Sequence, residues 1–192
     1  MKHTALFCDF ATRELRTGGP DPQVRLIAVA GERLAPAERL WHAGCFIAPY
    51  TCGGGAAIWN RWHPEHVLEQ PEALVAWLRE HWSGLPIRRE RRVVWKPEKL
   101  AECLVSYARW TLAWTKPDTY ADAWDQAAKI RFFGRYANMK LLEVLALSHL
   151  GPAQTDIRGS GGWSPRKTLG MLYPELGLQH RANTANDITF AE

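Results

Sequence analysis

The segment from Pro97 to Trp114, PEKLAECLVSYARWTLAW, decides the fold class of this chain. Its apolar and small residues recur at three- and four-residue steps and share one helical face, namely Leu100, Cys103, Leu104, Tyr107, Ala108, Thr111 and Leu112. A stripe of this length predicts a long helix that buries one side in a helical core. Lys116-Pro117 ends it, because proline cannot continue a helix.

Helix start signals lie on both sides of this segment. Proline at the first helical position is expected at Pro22, Pro36, Pro64, Pro71, Pro97 and Pro165. The sequence pattern predicts helices over Pro36–Pro49, Ala56–Trp62, Pro71–Trp82, Tyr120–Phe133 and Tyr136–His149, with a flexible turn at Tyr50–Gly55. Val24–Ala30 is short and β-branched enough for a strand, but its Asp21-Pro22 start favours a short helix. The sequence therefore predicts a compact all-α single domain of about seven or eight helices over residues 1–176, with a C-terminal tail at 177–192.

Composition agrees with one globular domain. The chain has 192 residues, 46% hydrophobic and 23% charged, with a net charge of +4 and a mean hydropathy of -0.30, a balance that permits a nucleic-acid partner without requiring one. Ten tryptophans indicate either an aromatic core or flat surfaces on which bases stack. The four cysteines form no CxxC pair, so we expect free thiols and no metal site. No apolar run approaches the roughly 18 residues of a membrane span, so we expect no transmembrane helix and a cytoplasmic location.

A charged pair interrupts an apolar stripe in the second half. Phe132, Tyr136, Lys140, Glu143 and Leu147 share one face if the helix is continuous. Lys140 and Glu143 then lie beside the core, where they form either a structural ion pair or a base and an anion binder in a cleft. Arg131 and Arg135, one turn apart, suit a phosphate or simply form an exposed basic face.

A glycine-rich segment follows, DIRGSGGWSPRK at residues 156–167. Its glycines allow a ligand to approach the backbone, and Ser164-Pro165 starts a helix whose N-terminus favours an anion. Arg158 and Arg166 flank that start, and Asp156 is a nearby carboxylate that either pairs with Arg158 or transfers a proton. The spacing is not that of a Walker A loop, and no serine-hydrolase or zinc-protease motif is present.

A basic connector joins the two halves of the chain. Within residues 88–96 the positive charges are Arg88, Arg89, Arg91, Arg92 and Lys96. They indicate either a solvated loop or contacts with a phosphate backbone.

The segments RFFGRYANMKLLE (131–143), DIR (156–158) and GWSPR (162–166) resemble the all-α amino acid:DNA transferase family of bacteriophages. The aromatic segment from Trp41 through Pro49-Tyr50-Thr51-Cys52 to Trp59 is also similar, so the resemblance covers roughly residues 7–174. It implies an enzyme of the host cytoplasm that acts on double-stranded phage DNA carrying pyrophosphorylated 5-hydroxymethyluracil. The amine of a free amino acid replaces the pyrophosphate, and related phage enzymes use putrescine or glutamate, so the likeness does not fix the donor.

This chemistry assigns roles to the candidate residues. Cations and a helix N-terminus stabilise the leaving pyrophosphate, which we assign to Arg131, Arg135, Lys140, Arg158, Ser164 and Arg166. A carboxylate, Glu143 or Asp156, deprotonates the amine. Tyr136 or Trp163 stacks on an extruded base, and the connector follows the DNA backbone. No organic cofactor is required, although a divalent ion bridging pyrophosphate oxygens is chemically reasonable.

Two other functions use the same residues. A non-catalytic DNA-binding module of a phage would bind DNA in a salt-sensitive way and leave the nucleosides unchanged. A helical structural or assembly protein would use its arginines in ion pairs at the edge of the core and would have no preference for nucleic acid.

Overall fold

The computed structural model describes residues 22–88 and 96–153, and within these ranges it is all-helical. The predicted fold class is confirmed. Eight helices occur in the described ranges: α1 (Pro22–Ala30), α2 (Pro36–Ile47), α3 (Cys52–Arg61), α4 (Pro64–Glu69), α5 (Pro71–His81), α6 (Pro97–Ala113), α7 (Tyr120–Ala127) and α8 (Arg135–Leu147).

The helix starts follow local chemistry. Proline stands at the beginning of α2, α4, α5 and α6, where its missing N–H removes no intrahelical hydrogen bond. Helices α3 and α7 are instead preceded by a threonine whose side chain caps the first turn. The Thr51 hydroxyl accepts from the N–H of Gly54 at 3.2 Å, and the Thr119 hydroxyl accepts from the N–H of Asp122 at 3.1 Å.

Helices α2 and α6 form the centre of the molecule. Helix α2 packs against α1, α3, α6 and α8, and α6 packs against α2, α4 and α5. Tyr107 of α6 is fully buried where these helices meet. Its ring stacks on Trp41, Trp110 and Phe133 at centroid distances of 5.8, 5.3 and 5.6 Å, and its hydroxyl donates to the carbonyl of Leu40. Burial raises the pKa of this phenol well above its ordinary value.

The tryptophans in the described ranges lie in the core or pack against it. Trp41, Trp62 and Trp110 are buried, and the Trp41 indole donates to the carbonyl of Trp62 at 2.7 Å. The α6 stripe also rotates slightly at its end, because Trp110 is buried while Leu112, predicted on the buried face, is 50% exposed. Two of the ten tryptophans, Trp95 and Trp163, lie outside the described residues.

The predicted turn at Tyr50–Gly55 is wrong beyond Thr51, since α3 begins at Cys52. Glycines in α2 and α3 permit close packing of helices. A Cβ on Gly55 would lie 2.6 Å from Cγ of Phe46, and a Cβ on Gly44 would lie 1.8 Å from Cε1 of Tyr107. Real Cβ atoms do not approach other atoms so closely, so both helix contacts require glycine.

The predicted helix over Tyr120–Phe133 is also shorter than expected. Helix α7 ends at Ala127, and residues 128–134 form turns that bury Ile130 and Phe133. The backbone of Phe132 has a φ of 64°, which an α-helix cannot accommodate. Phe132 therefore does not share a helical stripe with Tyr136, and Arg131 does not lie one helical turn from Arg135.

Arg39 joins the ends of two helices. Its guanidinium donates to the carbonyls of Gly31, Glu32 and Leu34, just after α1, at 3.1, 2.8 and 3.0 Å. It also donates to the carbonyl of Ser148, just after α8, at 3.0 Å. Carbonyls at helix ends lack intrahelical donors. The Arg39 guanidinium therefore supplies donors at the ends of both helices, and Ser148 lies 109 residues from Arg39 in sequence.

No helix among the described residues is both long and apolar enough to span a bilayer.

Candidate functional site

The centre of the candidate site is an ion pair on α8. Nζ of Lys140 lies 2.8 Å from Oε2 of Glu143, and the two side chains are only 8% and 15% exposed. Apolar neighbours on the same helix, including Leu141 and Val144, are buried and hold this face against the core. The predicted position at the edge of the core is therefore correct, and a charged pair so poorly hydrated interacts strongly.

A pair of tyrosines lies beside this ion pair. Tyr136, one turn before Lys140, is 45% exposed, and its ring centroid lies 5.9 Å from Nζ of Lys140. The hydroxyl of buried Tyr50 donates to that of Tyr136, and the two ring centroids are 5.6 Å apart. We call Tyr50, Tyr136, Lys140 and Glu143 the α8 cluster. It presents one open aromatic face above a buried cation and carboxylate.

Tyr50 is held in an uncommon backbone conformation. It lies between α2 and α3 with a φ of 60°, which costs a non-glycine residue about 1–3 kcal/mol. The guanidinium carbon of Arg88 lies 5.7 Å from the Tyr50 ring centroid, and the Arg88 N–H donates to the Pro49 carbonyl at 3.1 Å. Contacts from α8 and from the start of the connector thus both fix this tyrosine.

The start of α8 has an open N-terminus. Its N-cap is Gly134, which supplies no side-chain acceptor, and no acidic residue lies in the first turn. The first residue is exposed Arg135, whose cation is disfavoured by the positive end of the helix dipole. An anion bound here would interact favourably with both the helix end and the guanidinium.

Arg131 belongs to a second cluster. Its guanidinium lies 3.1 Å from Oε2 of Glu102 and its Cζ lies 5.1 Å from the Phe132 ring centroid. Lys99 also pairs with Glu102, at 3.0 Å. Arg131 nevertheless remains 63% exposed, and two cations share one carboxylate, so the cluster carries a net positive charge. Its position between α6 and the start of α8 leaves Arg131 open to a further anion.

The remaining predicted site residues divide into two groups. Arg88 and Lys96 are exposed at the two described ends of the connector. Eight others lie outside the described residues: Arg89, Arg91, Arg92, Asp156, Arg158, Trp163, Ser164 and Arg166. The structure therefore brings together Arg88, Tyr136, Lys140 and Glu143, and it places Arg131 in a separate cluster.

Three other side chains with reactive groups, His42, Cys45 and Cys103, are buried. The thiol of Cys52 is half-buried, and burial raises the pKa of Cys45 well above its ordinary value. Burial lowers the pKa of His42, whose ring packs on Phe46 and Trp59 at 4.6 and 5.1 Å. Within residues 22–88 and 96–153, no three His, Cys, Asp or Glu side chains are arranged to hold a metal ion.

Sequence reasoning missed Tyr50 as a site residue and treated it as part of a flexible turn. Its hydrogen-bond partner lies 86 residues away in sequence, so helical periodicity cannot predict the contact. The one available signal was its place inside the aromatic segment that carries the family resemblance.

Comparisons with protein-family models, with curated proteins and with solved structures found no match for this chain.

Proposed function

We propose that this protein is a DNA base-modifying transferase that replaces the pyrophosphate of an activated 5-hydroxymethyluracil with the amine of an amino acid. The observation that supports this most directly is the α8 cluster. It combines a stacking surface with a buried Lys140–Glu143 pair at 2.8 Å, on the helix that begins at exposed Arg135 without a side-chain cap. Displacement of a phosphate ester on a DNA base needs these three features together.

The reaction forms one bond and breaks one. The amine nitrogen attacks the exocyclic methylene carbon, the carbon–oxygen bond breaks, and pyrophosphate leaves with the bonding electron pair. Negative charge grows on the leaving oxygen, so preorganised cations lower the barrier. In our proposal Arg135 and the N–H groups at the start of α8 bind the pyrophosphate, and exposed Arg131 reaches it from the adjacent turn.

The attacking amine must lose a proton. In our proposal Glu143, whose Oε2 lies 2.8 Å from Nζ of Lys140, accepts that proton. Asp156 is the second candidate base. Arg158, Ser164 and Arg166 are further candidate phosphate ligands, and like Asp156 they lie outside the described residues.

The extruded base would stack on Tyr136, a residue that is 45% exposed and is anchored through its hydroxyl to Tyr50. Trp163 is the alternative stacking residue. Arg88 lies beside Tyr50 at the start of the basic connector, which suits contact with phosphates flanking the modified nucleotide. The partners in this proposal are double-stranded DNA carrying the modified thymine and a free amino acid.

Nucleoside mass spectrometry tests the proposal. The purified chain is incubated with DNA bearing pyrophosphorylated 5-hydroxymethyluracil and a mixture of amino acids and polyamines. A new adduct identifies the reaction and the donor together. We expect Arg135→Gln and Glu143→Gln each to lower turnover by about 100-fold, while Arg109→Gln, which removes an exposed arginine from α6, leaves it unchanged. Absence of an adduct with folded protein and verified substrate would reject the transferase.

A non-catalytic DNA-binding module is the second candidate, because Arg88, Lys96, Arg131 and Arg135 are all exposed cations. It predicts DNA affinity that falls steeply with salt. Under this function Glu143→Gln leaves DNA binding intact and no adduct forms. If the protein is a transferase, Glu143→Gln also retains DNA binding, but the unsubstituted protein forms an adduct.

A further inference from the structure

Tyr136 differs from every other phenylalanine, tyrosine and tryptophan in the described ranges. It is 45% exposed, whereas the others lie in the core or pack against it. Water solvates the face of an aromatic ring poorly, so an exposed ring gains free energy when a flat group covers it. The described surface therefore offers one stacking position, which suits a single base.

The Tyr136 ring is held from two sides. Its hydroxyl accepts a hydrogen bond from that of Tyr50, and Nζ of Lys140 lies 5.9 Å from its centroid. A ring that is fixed before binding loses little conformational entropy when a base stacks on it. Lys140 is only 6% exposed, so contacts with phosphates fall to more exposed cations.

Two such cations lie near the stacking position. The guanidinium carbon of Arg88 is 5.7 Å from the Tyr50 ring centroid, which is 5.6 Å from that of Tyr136. The Arg88 cation is therefore within about 11 Å of the Tyr136 ring. Arg135, also exposed, directly precedes Tyr136 in sequence. One or two nucleotides span such a distance between a base and a phosphate, so a base on Tyr136 brings its own backbone to these cations.

Paired DNA cannot use the stacking position. Each base of a duplex is stacked between its neighbours and hydrogen-bonded to its partner, so its face is covered. A duplex therefore gains only the phosphate contacts of Arg88 and Arg135. An unpaired nucleotide gains those contacts and the stacking on Tyr136, and the stacking of one base on an aromatic side chain strengthens binding by roughly 5- to 150-fold.

We infer that Arg88, Tyr50 and Tyr136 form a binding site for one unpaired nucleotide, and that the protein binds single-stranded DNA more tightly than duplex DNA. The base lies on the Tyr136 ring, and an adjoining phosphate lies against Arg88. This inference rests on the proposed function, since both place the base on Tyr136. It adds that a strand whose bases are already unpaired is the better ligand, because no pairing has to be broken to fill the site.

Fluorescence anisotropy of end-labelled DNA tests the inference without any chemical reaction. An unmodified strand of about 16 nucleotides is compared with the same strand paired to its complement, at the same salt concentration and with no amine present. We expect the full-length chain to bind the single strand at least about fivefold more tightly than the duplex.

Two substitutions at one position separate the ring from the rest of the side chain. Tyr136→Leu removes the aromatic face and should weaken binding of the single strand by about tenfold, while binding of the duplex changes by less than about twofold. Retained duplex binding also shows that this variant is folded. Tyr136→Phe keeps the ring and should keep the preference for the single strand.

A second pair of variants tests the phosphate contact. Arg88→Gln should weaken binding of both forms of DNA, and it should reduce the slope of log affinity against log salt for the single strand by about 0.7, the value for one lost contact. Arg109→Gln removes an exposed arginine from α6 and should change neither the affinity nor the slope.

Three results would overturn the inference. They are equal binding of single-stranded and duplex DNA by the unsubstituted chain, an equal loss for both forms in Tyr136→Leu, and normal binding of the single strand by Arg88→Gln. Adduct formation tests the transferase separately. An adduct without a preference for single strands rejects this site and leaves the transferase in place. A Tyr136-dependent preference without an adduct does the reverse.

Discussion

Replacing Lys140 by methionine should destabilise the protein strongly. The change keeps a long unbranched side chain with similar helix propensity, but it leaves the Glu143 carboxylate without its 2.8 Å partner at 15% exposure. Removing one partner of a buried pair costs about 3–5 kcal/mol. Since Glu143 retains slight hydration, we expect a loss of about 3 kcal/mol in the free energy of unfolding at pH 7.

The chain contains a matched control for burial. Nε of Arg79 also lies 2.8 Å from a carboxylate oxygen, that of Glu98, but these side chains are 63% and 40% exposed. Exposed pairs contribute about 0–1 kcal/mol. Arg79→Met should therefore lower the free energy of unfolding by less than about 1 kcal/mol. The two ion pairs have the same N–O distance, so a difference between the two losses reports the difference in burial.

Urea unfolding followed by tryptophan fluorescence measures both losses. The slope of the free energy of unfolding against urea concentration should be the same for all variants. The double variant Lys140→Met, Glu143→Leu removes both charges and should return to within about 1 kcal/mol of the unsubstituted protein. The reasoning is refuted if Lys140→Met costs no more than Arg79→Met, or if the double variant is less stable than Lys140→Met alone. A stable double variant that lacks turnover would further separate the catalytic role of the pair from its structural one.

Three other perturbations have definite expected outcomes. Gly44→Ala places a Cβ 1.8 Å from fully buried Tyr107. The cost of overpacking outweighs the gain in helix propensity of about 1 kcal/mol, so the midpoint of urea unfolding should fall by the equivalent of at least about 2 kcal/mol. An unchanged midpoint would contradict the close contact between the two helices. A lysine at position 39 cannot donate to all four carbonyls that Arg39 contacts. Arg39→Lys should therefore lower the free energy of unfolding by roughly 3 kcal/mol in the same assay, nearly as much as Arg39→Met. If only the lysine variant keeps its stability, the positive charge alone is sufficient. Burial lowers the pKa of His42 in the folded chain below the ordinary histidine value of about 6.5. Near and below that pH the unfolded chain therefore binds more protons at this position. The contribution of neutral His42 to the free energy of unfolding is complete above about pH 6.5 and is lost as the pH falls, by at most about 1.4 kcal/mol per pH unit. Stability of His42→Phe should therefore depend less on pH between about 7.5 and 5 than that of the unsubstituted chain, and parallel profiles would exclude this role for His42.

Local sequence determined the helical fold and many helix starts. Proline at the first helical position and an apolar stripe at three- and four-residue steps are short-range properties, so Pro36, Pro71 and Pro97 begin helices as predicted. The same stripe placed Lys140 and Glu143 at the edge of the core. Their separation of three residues lies within one helical turn, so sequence spacing alone brings them together.

Long-range contacts decided what the sequence pattern could not. The glycines of α3 resemble a turn until Phe46 approaches Gly55, and α7 stops at Ala127 because Ile130 and Phe133 are buried by a turn rather than a helix. Tyr50 meets Tyr136, and Arg39 meets Ser148, across long stretches of chain. Helical periodicity reports which face is apolar but not which distant face covers it, and side-chain packing in three dimensions settles that choice.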